Sequence, residues 1–118
     1  MPKDDMVYMG HMLDTARKAV EKVRGKTRRQ YDGDEDLRMV LAHLVQTIGE
    51  AAARVSPDTR SAHMNIPWKQ IVGIRHRIVH DYMDVDYDVL WEVVTRDLPR
   101  LVAALEKIIP EEEKDTER

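Results

Sequence analysis

The spacing of apolar residues predicts four principal helices. The first helix spans about residues 4–24, with Asp4 or Asp5 as its N-cap and Gly25 as its stop. In the second, over about residues 35–55, leucine, valine, isoleucine and alanine follow the i, i+3, i+4, i+7 rule of an amphipathic helix. Both patterns predict helices with one buried face.

The second half of the chain continues the helical pattern. Asp34 is expected to cap the second helix, and Pro67 precedes a third helix over about residues 68–80. A fourth covers about residues 86–109, and Pro99 should bend or split it because proline has no N–H to donate. With loops at about 25–34 and 56–67, the fold class is all-α, a small up-and-down bundle.

The composition agrees with helices. The chain has 118 residues, of which 42% are hydrophobic and 35% charged, with 5 Gly, 5 Pro and no Phe. Few helix breakers and few aromatic residues favour helices packed by aliphatic side chains. This length suits one hydrophobic core. We expect a single domain over residues 1–110 and a charged, disordered tail over 111–118.

Several classes of site and location are disfavoured. The absence of cysteine removes disulfides and thiolate metal sites. No apolar run approaches the roughly 20 residues that span a bilayer, and no signal-peptide segment is apparent, so we expect a cytoplasmic protein without membrane contact. The net charge of −3 gives no bulk attraction to nucleic acid. A basic loop could still guide RNA locally, or could simply be solvated; it contains Arg24, Lys26, Arg28 and Arg29.

The stretch "VGIRHRIVHDY", residues 72–82, places polar chemistry in an apolar helical pattern. At about 100° per residue, Arg75 falls about 40° from Ile71, within the apolar stripe. Burying a guanidinium without a partner is costly, because arginine keeps its charge. Arg75 should therefore face a polar cleft, a carboxylate of a neighbouring helix, or a subunit interface.

His80 lies five residues after Arg75, about 140° around a regular helix. The two side chains converge only if the helix ends or bends near His80, or if a second subunit supplies one of them. As an alternative, His80 could act as a helix C-terminal cap. A metal site with His76 and His80 at i, i+4 spacing is less well supported, since the third ligand has no motif; it would come from His11, His43 or His63. The chain has no Gly-rich phosphate loop and no nucleophile elbow.

The order Arg75, four residues, His80, one residue, Tyr82, within "IPWKQIVGIRHRIVHDY", resembles the signature of HepT-like toxins of the HEPN superfamily. "LVQTIGEAAARVS" looks like the family's second-helix segment, and "DYDVLWEVVTRDLPRL" resembles its helix after the motif. The resemblance covers roughly residues 35–109. Where many members have asparagine after the arginine, this chain has His76.

The resemblance implies a HEPN-like helical bundle that forms a homodimer through the motif helices. It implies a metal-independent endoribonuclease acting on RNA, the toxin of a type VII-like toxin–antitoxin pair. The implied partner is an MntA-type minimal nucleotidyltransferase antitoxin, which uses ATP to attach AMP to the motif tyrosine, here Tyr82. The chain itself would need no cofactor and no metal.

The resemblance also assigns roles that fit the chemistry of these side chains. His80 would act as general base or acid, because histidine titrates near neutral pH. Arg75 would stabilise the charge that develops on phosphate. Tyr82 and His76 would support the site, and Arg77 would help to guide RNA. The alternative is a non-catalytic helical dimer that serves as a scaffold for a nucleotidyltransferase.

Overall fold

The structure is a computed structural model that describes residues 1–81 and 84–110. Within those ranges the chain forms eight α-helices, one π-helical turn and one two-stranded hairpin. In order they are α1 (Lys3–Val23), α2 (Arg28–Asp32), α3 (Glu35–Ala53), α4 (Pro57–Ala62), α5 (Trp68–Val72), α6 (Ile74–Ile78), β1 (Val79–Asp81), β2 (Asp84–Val85), α7 (Tyr87–Glu92), the π turn (Val93–Asp97) and α8 (Leu98–Ile108). The predicted all-α class is confirmed.

The core lies between three long segments. Helix α1 packs against α3 on one side and α8 on the other, and α5 and α6 lie on α3. The buried side chains are mainly aliphatic, as the periodicity predicted, and the largest fully buried ones include Met9, Met12, Leu41, Ile48 and Leu105. None of the helices in the described ranges is both long and apolar enough to cross a membrane.

The bounds of the first two long helices are close to the predicted ones. Gly25 follows α1 with a φ of 74°, a left-handed conformation that glycine adopts without strain. The Asp34 carboxylate accepts a hydrogen bond from the backbone N–H of Leu37 at 3.0 Å, so the predicted cap of α3 is confirmed. Glycine therefore ends α1 and aspartate begins α3, as the sequence predicted.

The predicted N-cap of α1 is wrong. Pro2 occupies that position, and Asp5 lies inside the first turn, buried at 4% exposure. Its carboxylate accepts hydrogen bonds from the Ser56 N–H at 2.9 Å, and from the Ser56 and Thr59 hydroxyls, each at 2.6 Å. Asp5 therefore fastens α1 to the start of α4.

Both predicted loops contain a short helix. Helix α2 begins with a capping box, in which Thr27 accepts from the Gln30 N–H and Gln30 accepts from the Thr27 N–H. Helix α4 begins after Ser56, whose side chain caps it. Helices of five or six residues are too short to show an amphipathic period, which explains why the pattern missed them.

The predicted third helix is not continuous. It breaks at Gly73 into α5 and α6, and α6 ends at Ile78, where the chain becomes extended. At this break the chain lies close to Gly49 of α3: a Cβ added there would lie 2.8 Å from Ile74 Cγ2 and 2.9 Å from the Ile71 carbonyl oxygen. Glycine at position 49 thus allows α6 to sit directly on α3.

The predicted fourth helix is interrupted, as expected, next to Pro99. Helix α7 is followed by the π turn, in which the Leu98 N–H donates to the Val93 carbonyl, and then by α8, with Pro99 in its first turn. The Thr95 hydroxyl donates to the Trp91 carbonyl oxygen at 2.7 Å, which satisfies a backbone acceptor beside the irregular turn. The break falls where proline cannot donate.

Candidate active site

Helix α6 and strand β1 carry the residues that the sequence predicted to be catalytic. Arg75, His76 and Arg77 lie on α6 and His80 lies on β1, and all four side chains are exposed. Tyr82, the predicted acceptor of AMP, lies outside the described residues, as does the predicted tail over 111–118. The four described residues occupy the connection between the α3–α6 layer and α7.

Arg75 does not lie on the buried stripe of a regular helix, so that geometric expectation is wrong. The break at Gly73 interrupts the 100° count, and in α6 the buried side chains are Ile74 and Ile78. Within residues 1–81 and 84–110, neither the Arg75 side chain nor the His76 side chain has a hydrogen-bond or ion-pair partner. The guanidinium is therefore open to an external anion or to a second protein chain.

His80 is held by a carboxylate that the sequence analysis did not assign to the site. Its Nε2 atom lies 3.0 Å from Asp86 Oδ2. The other oxygen, Asp86 Oδ1, accepts from the Val89 N–H at 3.0 Å and caps α7. The sequence showed Asp86 only as the start of a helix. Its second contact depends on the hairpin, which reverses the chain between His80 and Asp86.

The hairpin fixes the distance between these two residues. Strand β1 pairs antiparallel with β2, with Val79 opposite Val85 and Asp81 opposite Asp84, and an irregularity lies between them. The Asp86 N–H then donates to the Ile78 carbonyl oxygen at 2.6 Å, at the end of α6. Helix α6, the hairpin and α7 are therefore joined at the point where His80 meets Asp86.

The contact between His80 and Asp86 favours the charged form of each side chain. The hydrogen bond to Asp86 raises the pKa of His80 above its ordinary value, and the negative charges of Asp86 and Asp84 act in the same direction. Conversely, the hydrogen bonds from His80 and from the Val89 N–H lower the pKa of Asp86. Near neutral pH, Asp86 is an ionised acceptor and His80 is protonated more often than a free histidine.

Helix α2 anchors the start of α7 from the other side. The buried Tyr31 donates its hydroxyl to the Tyr87 carbonyl oxygen at 2.7 Å, and its ring lies 4.8 Å from that of Trp91. The Arg38 guanidinium lies 5.0 Å from the centre of the Tyr87 ring. The residue directly after Asp86 is therefore held through both its backbone and its ring.

The residues predicted to guide RNA differ in how they are engaged. Arg28 pairs with Asp32 at 2.8 Å and also with Asp88, so it connects α2 to α7. Each of two other arginines has one carboxylate partner: Arg24 with Glu21 at 3.0 Å and Arg77 with Asp97 at 3.5 Å.

Lys26 and Arg29 have no ion-pair partner in the part of the chain that the structure describes. Guidance of RNA by these cations stays a prediction, with Lys26 and Arg29 the most available of the basic-loop residues.

The helical geometry on which the metal alternative depended is not formed. Helix α6 ends at Ile78, so His76 and His80 do not share a helix face at i, i+4 spacing. Among the described residues, no group of three or more histidine, aspartate or glutamate side chains is placed to hold a metal ion.

A cavity of about 630 Å³ lies beside α6, between α3, α5 and α8. Its walls are mostly apolar, and the pair Arg77–Asp97 lies at its edge, but Arg75 and His80 do not line it. The candidate active site is thus the exposed surface of α6 and β1, separate from this cavity.

Comparison with known proteins identifies the family of the chain. Residues 12–108 match the model of the family described as Ribonuclease HepT-like. A protein of Caldanaerobacter subterraneus subsp. tengcongensis named "Putative RNase" is 29% identical over 105 residues, covering 89% of this chain and 94% of that protein. One of Thermococcus cleftensis, named "Probable ribonuclease HepT", is 29% identical over 100 residues, covering 81% and 91%.

A third relative, also named "Putative RNase", comes from Methanocaldococcus jannaschii and is 27% identical over 104 residues, covering 88% of this chain and 95% of that protein. No solved structure matches the chain significantly. The fold is the all-α type that the sequence predicted, and the family match spans most of the chain. The chain belongs to the HepT-like ribonuclease family of the HEPN superfamily.

Proposed function

We propose that this protein is a metal-independent endoribonuclease whose site is formed by Arg75 and His80 of two protomers. The observation that carries the proposal is the α6–β1 surface. It presents the Arg75 guanidinium, whose side chain has no partner among the described residues, and, on the adjacent strand β1, a histidine held by a carboxylate. These are the two side-chain types that phosphodiester cleavage without a metal requires.

Cleavage proceeds by attack of the ribose 2′-oxygen on the adjacent phosphorus. A neutral His80 takes the 2′-hydroxyl proton as the new P–O2′ bond forms. The P–O5′ bond breaks, and a protonated His80 from the second protomer gives its proton to the leaving 5′-oxygen. Arg75 binds the phosphate oxygens as negative charge develops. The products are a 2′,3′-cyclic phosphate and a 5′-hydroxyl.

One observation supports a dimer through this surface. Val72, on α5 three residues before Arg75, is 36% exposed. An exposed apolar side chain beside an arginine that has no side-chain partner among the described residues is typical of a surface that another chain covers. A second copy would bring two sets of Arg75 and His80 together.

We further propose that an MntA-type nucleotidyltransferase is the antitoxin for this protein and that it attaches AMP from ATP to Tyr82. Tyr82 follows His80 by two residues, so a bulky anion there would lie near the site. Its negative charge would compete with RNA phosphate for Arg75. Under the alternative, the same surface only binds the nucleotidyltransferase, and Arg75 and His80 hold that interface.

The decisive experiment measures cleavage of a fluorescein-labelled RNA by partner-free protein with EDTA present. We expect wild-type protein to cut and His80→Ala to lose about 10²- to 10⁴-fold in rate, the usual contribution of a proton-transfer group. Arg75→Ala should lose about 10²- to 10³-fold, the usual contribution of a donor that stabilises developing charge. Lys107→Ala, which removes an exposed cation on α8, should cut at nearly the wild-type rate. Wild-type protein that leaves RNA intact and carries no AMP by intact mass would favour the scaffold.

A second experiment separates the dimer from the chemistry. Val72→Asp places a charge on the proposed interface without touching Arg75 or His80. We expect monomeric protein in sedimentation, with cleavage lost and α-helical content retained. A Val72→Asp monomer that still cuts would show that one protomer carries a complete site.

A further inference from the structure

His80 has two ring nitrogens, and the structure distinguishes them. Nε2 faces Asp86 Oδ2 at 3.0 Å. An ionised carboxylate can only accept hydrogen bonds, so Nε2 must be the nitrogen that carries hydrogen in this pair. In the neutral ring the lone pair is then on Nδ1, and in the protonated ring Nδ1–H is the second donor.

The carboxylate is itself oriented on both oxygens. Oδ1 is engaged by the Val89 N–H at the start of α7, which leaves Oδ2 for His80. The Asp86 side chain is 27% exposed and that of His80 is 55% exposed. The Nε2 edge of the His80 ring is therefore held by Asp86, while the rest of the ring remains exposed to a substrate.

We propose that Asp86 is a positioning residue for catalysis, which fixes the tautomer of His80 and makes Nδ1 the atom that exchanges protons with RNA. This inference rests on the proposed ribonuclease function. In the cleavage step, Nδ1 of a neutral His80 accepts the 2′-hydroxyl proton. Nδ1–H of a protonated His80 delivers the proton to the 5′-oxygen. Asp86 keeps its own charge throughout.

Asp86→Asn tests this proposal without removing the helix cap, because asparagine is as good an N-cap as aspartate. The capping oxygen must remain on the Val89 side, so the amide NH₂ of the variant would face His80. Nε2 then becomes an acceptor and the hydrogen moves to Nδ1, which reverses the tautomer. We expect cleavage of the labelled RNA to fall about 100-fold, at the low end of what a proton-transfer group contributes.

Asp86→Ser supplies a second variant. Serine also caps a helix, but its short side chain does not reach His80. The ring is then free to turn and adopts the productive tautomer part of the time, so we expect a smaller loss of about tenfold. The matched control is Asp34→Ser, which makes the same change at the cap of α3, where no histidine is bonded. It should leave the cleavage rate unchanged.

Two further readouts separate positioning from a purely structural role. Nitrogen chemical shifts of His80, assigned with His80→Gln, should show hydrogen on Nε2 in wild-type protein and on Nδ1 in Asp86→Asn.

The alkaline limb of the pH–rate profile should move to lower pH in both Asp86 variants. His80 loses a hydrogen-bonded anion in each, while the negative charge of Asp84, which also raises the pKa of His80, remains. Asp34→Ser should not move the limb.

Two results would overturn the positioning role of Asp86. If Asp86→Asn cuts at the wild-type rate with an unchanged pH profile, Asp86 only caps α7. A wild-type tautomer with hydrogen on Nδ1 would also overturn it. If wild-type protein that carries no AMP cuts no RNA, the proposed function fails, while the tautomer still reports whether Asp86 orients His80.

Discussion

Two aspartates of this chain, Asp5 and Asp86, each accept a backbone hydrogen bond at the start of a helix, but their roles differ. Asp5 is buried, and both its oxygens are occupied by groups at the start of α4. Asp86 also binds a helix start, but it commits one oxygen to that task and gives the other to His80. A carboxylate whose acceptors all serve the backbone and nearby hydroxyls stabilises the fold. A carboxylate that binds an exposed titratable side chain can instead orient that side chain for a reaction.

The largest stability effect should come from Asp5→Ala. It leaves the Ser56 N–H and two hydroxyls without their acceptor, and hydrogen bonds to charged groups are the stronger kind, so we expect a loss of about 3 kcal/mol in the free energy of unfolding. Urea denaturation measures this loss. Below its melting temperature the variant should retain cleavage activity. A variant that keeps its stability but loses cleavage would reverse the contrast between Asp5 and Asp86.

Gly49→Ala should give the next largest loss of stability, and it should also affect the candidate site. The added methyl would overlap Ile74 Cγ2 and the Ile71 carbonyl, so α6 must move away from α3. We expect a net loss of about 1–2 kcal/mol despite alanine's higher helix propensity. Cleavage should also fall, because α6 carries Arg75. A variant as stable and active as wild type would show that α3 and α6 separate easily.

Tyr31→Phe removes only the hydroxyl that binds the Tyr87 carbonyl next to Asp86. The expected loss is about 1 kcal/mol in unfolding free energy, the usual effect of one hydrogen bond. Because the ring stays packed against Trp91, the His80 tautomer should be retained. Loss of the tautomer in this variant would mean that α2 controls the site more directly than the Asp86 cap does.

The smallest effects are on the pH dependence of stability, where Asp5 and His80, the partner of Asp86, should differ in sign. Hydrogen bonds lower the pKa of Asp5, so its contribution is present above the ordinary aspartate pKa and is lost as acid protonates it through the lowered pKa. His80 has a raised pKa, so its pairing with Asp86 stabilises below the ordinary histidine pKa and is lost as pH rises through the raised value.

Melting temperatures of two variants across the pH range test this difference. Asp5→Asn should flatten the acid side of the stability profile, and His80→Gln should flatten the side above neutral pH. Asp34→Asn serves as the control at a helix cap without either feature. Equal flattening by the control would assign the pH dependence to the net charge of the protein.

The sequence predicted the long helices because their apolar faces repeat over many turns. It predicted Arg75 and His80 as a pair because their spacing resembles a family motif. The periodicity did not predict the break at Gly73, although glycine is a residue type that often ends a helix. The packing of α6 on Gly49 could not be predicted, because residue 49 is far away along the chain.

Asp5 and Asp86 were both placed near helix starts, which is a local property. Their actual partners at Ser56, Thr59 and His80 depend on tertiary contacts and on a hairpin too short to have a pattern.

The π turn at Val93–Asp97 has a consequence for how this chain can vary in length. One residue inserted into a regular helix rotates everything after it by about 100°. A π turn takes up one extra residue within a widened turn, so the helix beyond it keeps its direction. Leu98, Leu101 and Leu105 remain buried in α8, which packs against α1. The segment 93–97 is therefore where this bundle can lose one residue and keep its core.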